Sequence, residues 1–208
     1  CSKPHRKGLT MSETRSTNRK LSFQPLENRN MLAGNVFDGL MGTQLSLGGD
    51  AMDNQFEITE IAPNAIQVTG LGTTTINGAP SQVFAANLIE NIVVRTGMGH
   101  DEVIVRNVSL TDTPYGNLHI ITDAGDDLVN LSKVSTTESI VINTGEHNDA
   151  VNARLVKTRG HFNTDTGNGH DSGAFDTIRA AEMNVDMHDG DDMLKIRRAK
   201  IGTDLRIH

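Results

Sequence analysis

The chain has 208 residues, enough for one ordinary domain. It has a net charge of −7, 3% aromatic residues, no Trp and 20 Gly. A globular core so poor in large rings is unusual, whereas a stacked core of Ile, Val and Leu does not need them. No apolar run of about 18 residues exists, so no transmembrane helix is expected. The only cysteine is Cys1, so no internal disulfide can form. Charge is divided: residues 1–33 carry seven Lys/Arg and two Asp/Glu, and the remainder carries 12 Lys/Arg and 24 Asp/Glu. An acidic body favours solubility and cation binding and argues against nucleic acid.

Residues 1–33 read as a disordered basic leader, rich in Ser, Thr, Asn, Lys and Arg without an apolar period. The chain opens on Cys, and Met11 is a candidate start. The stretch Leu26-Glu27-Asn28-Arg29-Asn30-Met31-Leu32-Ala33-Gly34 resembles the LEPRxLLA leader of many large planctomycete surface and exported proteins. Asn28 stands at the usual Pro and Met31 at a Leu position. The resemblance implies export or a cell-surface location. The leader lacks the apolar core of an ordinary secretory signal.

Residues 34–91 read as irregular first coils and a cap. Leu45 and Leu47 lead into a Gly/Asp stretch ending at Asn54, and Phe56, Ile58 and Ile61 follow. A second degenerate coil is expected around Thr74, with Asn77-Gly78 as a turn and Gly39 to Gly42 as part of the cap.

Residues 92–208 carry a repeat. Five blocks end on Asp101, Asp127, Asp149, Asp171 and Asp192, at intervals of 26, 22, 22 and 21 residues. A fixed period of this kind marks a repeat architecture. Nine residues before each Asp stand Ile92, Leu118, Ile140, Phe162 and Met183. Two after it stand Val103, Val129, Val151, Gly173 and Leu194. Apolar residues at steps of two on both sides of a Gly/Asp turn indicate strands with one buried face. A coil of about 22 residues buries that face only when stacked on its neighbours. The expected fold is all-β: a parallel β-solenoid, right-handed because parallel crossovers are. The competing arrangement is an antiparallel sandwich of hairpins. Leu205 and Ile207 repeat the phase of Leu118 and Ile120, yet no further turn follows. The chain is therefore expected to be truncated from a longer protein, or to pair end to end.

The turns carry the candidate chemistry. Gly97-x-Gly99-x-Asp101-x-Val103 and Gly167-x-Gly169-x-Asp171 resemble the G-G-x-G-x-D-x-U-x repeat of RTX (haemolysin-type) calcium-binding proteins. The resemblance implies Ca²⁺ held by Asp101, Asp127, Asp149, Asp171 and Asp192, with carbonyl oxygens of Gly97, Gly99, Gly167 and Gly169. Hard carboxylate and carbonyl oxygens suit that ion. It is partial, because RTX arrays repeat every nine residues and here one such turn occurs per coil. The other reading is that Gly and Asp simply close solvent-facing turns. His100, His147, His170 and His188 read as exposed turn residues. Thr96, Thr122, Thr144 and Thr166 read as a ladder between coils.

Two functions follow. The first is a non-catalytic repeat or scaffold module of an exported or surface protein, stabilised by Ca²⁺ at the turns. Its partners would be other domains of a longer chain or cell-surface components. The second is a pectate-lyase-like β-helix enzyme acting on an acidic polysaccharide. The short, even spacing from Asp127 to Asp192 leaves no room for the long loops of a catalytic cleft, and no HExxH, P-loop or nucleophile elbow occurs.

Overall fold

A computed structural model describes residues 34–208. The leader and its motif lie outside the described residues, apart from Gly34. The body is a parallel β-solenoid with about 22 residues per coil. Its core is built from the alternating apolar positions of the repeat.

Each regular coil contributes strands to three stacked sheet faces. The first face comprises Gln44–Gly48, Asn91–Arg95, Asn117–Ile121, Ile140–Asn143 and His161–Asp165. The final residues of Ser172–Asp186 and of Lys200–Ile207 complete it. Leu45, Ile92, Leu118, Ile140, Phe162, Met183 and Leu205 form one file across it, each paired in register with the next. All but Leu205 are buried. Leu118 and Ile140 are neighbours in parallel strands, which excludes the hairpin sandwich.

The second face, after the Gly/Asp turn, stacks Glu102–Arg106, Leu128–Ser132, the start of Ala150–Thr158, the start of Ser172–Asp186, and Met193–Arg197. Val103, Val129, Val151, Gly173 and Leu194 align there. Gly173 is required by packing: a Cβ would lie 2.8 Å from Leu194 Cδ1 and 3.2 Å from the Phe175 ring. That ring meets Phe162 edge-on, with centroids 5.5 Å apart. Two large rings facing one glycine keep the core volume constant from coil to coil.

The third face is short, with Ser109–Leu110, Ser135–Thr136 and the segments around Lys157, Arg179 and Lys200. The chain reaches it through one left-handed residue per coil: Asn107, Lys133, Leu155, Thr177 and Arg198, with φ of 52°, 55°, 57°, 61° and 51°. None is glycine, so each corner bears the steric cost of an L side chain in that region.

The first end is built differently from the regular coils. Asn54 does stand at the first anchor position, and Phe56 and Ile58 are buried beside Val103 and Val105. The expected second coil around Thr74 does not form. Strand Gln55–Ala62 runs straight on past the corner, leaving Ile61 exposed, and reverses through left-handed Asn64. Ala65–Gly70 then pairs antiparallel with it, and Ser81–Ala85 pairs antiparallel with Ala65–Gly70. Asn35–Met41 folds back antiparallel on Gln44–Gly48 through Gly42. These strands cover edges that a parallel stack would leave unpaired. At the other end, Met193, Leu205 and Ile207 are exposed.

Candidate functional site

The Gly/Asp turn repeats because adjacent coils leave no room for a side chain. A Cβ at Gly125 would lie 1.6 Å from the Gly99 carbonyl oxygen, and one at Gly190 the same distance from that of Gly169. Stacked carbonyls therefore select glycine two residues before the anchor. His147 holds that place in the third block with φ of 92°.

The anchor carboxylates point along the stack. The backbone N–H of Asn54 donates to Asp101 Oδ1 at 2.7 Å. Asp101 donates likewise to Asp127, Asp127 to Asp149 and Asp149 to Asp171, each at 2.8 Å, and Asp171 to Asp192 at 2.9 Å. Each coil thus gives a proton donor to the carboxylate of the next. Asp101, Asp127, Asp149 and Asp171 are buried; Asp192 is half-buried.

The residue just before each anchor builds a second ladder, running the other way. His100 N–H donates to Asp53, Asp126 N–H to His100 Nδ1, Asn148 N–H to Asp126, His170 N–H to Asn148 and Asp191 N–H to His170 Nδ1, at 2.9–3.0 Å. Here the donor reaches back to the previous coil. Sequence reading missed this ladder, although a signal was present: Asp53, His100, Asp126, Asn148, His170 and Asp191 can all accept a hydrogen bond.

The threonine column completes the turn. Thr96, Thr122 and Thr144 are buried, and each hydroxyl donates to the carbonyl of the threonine one coil on, at 3.2–3.4 Å. The file ends at Thr166, whose hydroxyl makes no such bond to Met187 and instead draws on the Asp171 carboxyl.

Burial dominates the electrostatics of the anchor column. It pushes the Asp127 carboxyl up to about 7 and that of Asp149 to about 6, against the opposing pull of the donated N–H and of Thr122 or Thr144. Asp101 and Asp171 are also raised by burial. Repulsion between neighbouring carboxylates adds to the rise at Asp127. The Oδ2 atoms of Asp101, Asp127, Asp149 and Asp171 are buried without a hydrogen-bond partner.

The five predicted metal-site aspartates therefore share one column, joined through backbone N–H groups. Of the predicted glycine oxygens, that of Gly97 accepts the N–H of Ala124 at 3.3 Å, and those of Gly99 and Gly169 pack against the next coil's glycine. Gly167 is the receiving partner of such a contact, with the Gly145 oxygen 1.7 Å from where its Cβ would lie. Among the described residues, no group of three or more His, Cys, Asp or Glu side chains is arranged to hold a metal ion. None of their helices is long and apolar enough to cross a membrane.

The outward surfaces of the faces differ in charge. Asp165, Asp186, Glu182 and Asp204 lie on the first face, where His188 Nε2 is 3.1 Å from Asp165 and His161 is 3.1 Å from Glu182. The second face carries a groove of about 610 Å³ bordered by Arg106, Arg154, Lys195 and Arg197. No protein-family model matches this chain, and no curated protein or solved structure is similar to it above the level of chance.

Proposed function

We propose that this chain is a non-catalytic repeat module, a stalk, scaffold or adhesive segment, of an exported or cell-surface protein. The observation that carries the reading is the pair of opposed ladders: the polar groups of the turn are used to join coils. A carboxylate that accepts a neighbouring N–H in a buried column is a structural link rather than a poised acid. The resemblance of residues 26–34 to the LEPRxLLA leader supports export. Partners in this reading are other domains of a longer chain or cell-surface components.

A second reading has Ca²⁺ stabilising the same column. Its support is the file of four unpartnered, buried Oδ2 atoms, which are hard anionic ligands when ionised. Thermal melting in millimolar Ca²⁺ and Mg²⁺, run beside a lyase assay on polygalacturonate, tests both readings. The module reading expects no turnover, and release of unsaturated products would overturn it. A rise in Tm specific to Ca²⁺ and blunted by Asp127→Asn would establish the second reading; an unmoved melt would reject it.

A further inference from the structure

The described body carries twice as many acidic as basic residues, yet its cations are not scattered. On the third face Lys157, Arg179 and Lys200 occupy the same outward position on three consecutive coils. All three are exposed. Stacked strands place them about 4.8 Å apart along the backbone, and like charges directly opposite one another destabilise a sheet. On the adjoining second face Arg154 and Arg197 stand two coils apart in one file, with Lys195 beside them. Among the described residues, none of these six makes an ion pair. Asp176, the carboxylate between Arg154 and Arg197, is bound by Arg198 through Nε at 2.7 Å and through a second contact from Nη2. Arg198 is thus its main partner, and Arg154 adds only a weaker pull from the preceding coil.

The groove beneath the second-face cations is polar. Asn152 Nδ2 donates to Asn130 Oδ1 at 3.0 Å, and the pair still has the Asn130 amide donor and the Asn152 amide oxygen for further bonds. Ser132 and Ala174 are small and leave depth between the longer side chains. The surface thus offers cations at intervals of one and two rungs, with hydroxyl-type donors and acceptors between them.

We propose that this surface binds a linear acidic polysaccharide, a polyuronate lying along the solenoid axis. Such a chain carries one carboxylate per sugar, with hydroxyls between, and an extended sugar advances by about the spacing of one rung. The amide pair recognises hydroxyls; Arg154, Arg197 and the third-face column take carboxylates. A nucleic acid fits less well. Single strands are held by stacking on exposed aromatic rings; the one ring along the groove, Phe175, is buried in the core, and the cation column has none.

The test is calorimetric titration of the full chain with oligogalacturonate at low salt, with circular dichroism to confirm folding of each variant. Saturable binding is expected, absent with dextran. Arg154→Glu combined with Arg197→Glu is expected to weaken it by about tenfold or more. Lys157→Gln with Lys200→Gln is expected to weaken it in the same direction, and serves as the readout should the first pair fail to fold. Arg159→Glu, at a corner outside both files, and Lys20→Glu, in the basic leader, are expected to leave it unchanged. No binding, binding indifferent to both groove and column variants, loss with Lys20→Glu alone, or tighter binding of a single-stranded oligonucleotide would each overturn the proposal. The module reading would survive such a failure, because it uses only the turn ladders.

Discussion

The N–H of Asp127 donates to the carboxylate of Asp149, one coil onward, at 2.8 Å, while the carboxylate of Asp127 receives the N–H of Asp101. Every interior anchor residue is in this way both donor and acceptor. Replacing Asp127 separates its two attributes, acceptor and charge. Asp127→Asn keeps an acceptor oxygen and removes the buried charge, so it should be neutral or mildly stabilising above pH 7. Asp127→Leu leaves the Asp101 N–H buried without a partner and should destabilise by about 1–3 kcal/mol. Urea melts of the two variants at one pH check the ordering.

The raised carboxyls set an unusual pH dependence. The Asp127 value is about 7 and the Asp149 value about 6 in the folded chain, against an ordinary 3.8. Between those limits the folded state binds more protons than the unfolded state, so stability falls as pH rises. The contribution is full below about 3.8 and lost as pH climbs through 6 and 7. Tm should therefore increase as pH is lowered from about 8 to 5. The rise should shrink in Asp127→Asn. A Tm that drops steadily over that interval would show the column to be ionised at little cost.

Asn54 ends the anchor column, and its neutrality has a reason. Its Nδ2 donates to the carbonyls of Asp50 and Met52, and no described backbone N–H reaches its own oxygen. Asn54→Asp would put a carboxylate against those carbonyls in a fully buried place, without a donor. A loss of several kcal/mol is expected, about the penalty of an uncompensated buried charge. A melting curve within a degree or two of the parent would refute this account of the end residue.

The corner file of left-handed residues gives a gain instead. Leu155 has φ of 57° and is 41% exposed, so its side chain contributes little packing. Asn already occupies the corresponding corner at Asn107. Leu155→Asn should stabilise by about 0.5–1 kcal/mol, a fraction of the left-handed penalty. Chemical denaturation is sensitive enough to see it, and a loss of stability would show that Leu155 packs in a way its exposure conceals.

Much of the stack could be read in the sequence because it depends on spacing. The offsets of Leu118, Ile140 and Phe162 from their anchor aspartates place them in one file without knowledge of the third dimension. Thr96, Thr122 and Thr144 were legible for the same reason. The antiparallel cap was not: Asn64 and the straight run of Gln55–Ala62 mimic a coil's phase until the chain fails to turn at Ile61. The direction in which a carboxylate points was hidden too. Asp101 and Asp53 are both turn acids, yet one receives its donor from the previous coil and the other from the next. Period locates a residue on the stack and leaves its hydrogen-bond polarity to geometry.

The contact between the Gly99 oxygen and Gly125 refers only to one neighbour on each side, as do both ladders. A regular coil is therefore an exchangeable part. A copied unit from Phe162 to Glu182 brings its own donor, its own acceptor and, in Gly167 and Gly169, the glycines that the stacked carbonyls require. Length in this architecture can change by in-frame duplication without renegotiating the rest of the molecule, whereas the segment from Gly34 to Leu88 can occupy one place only.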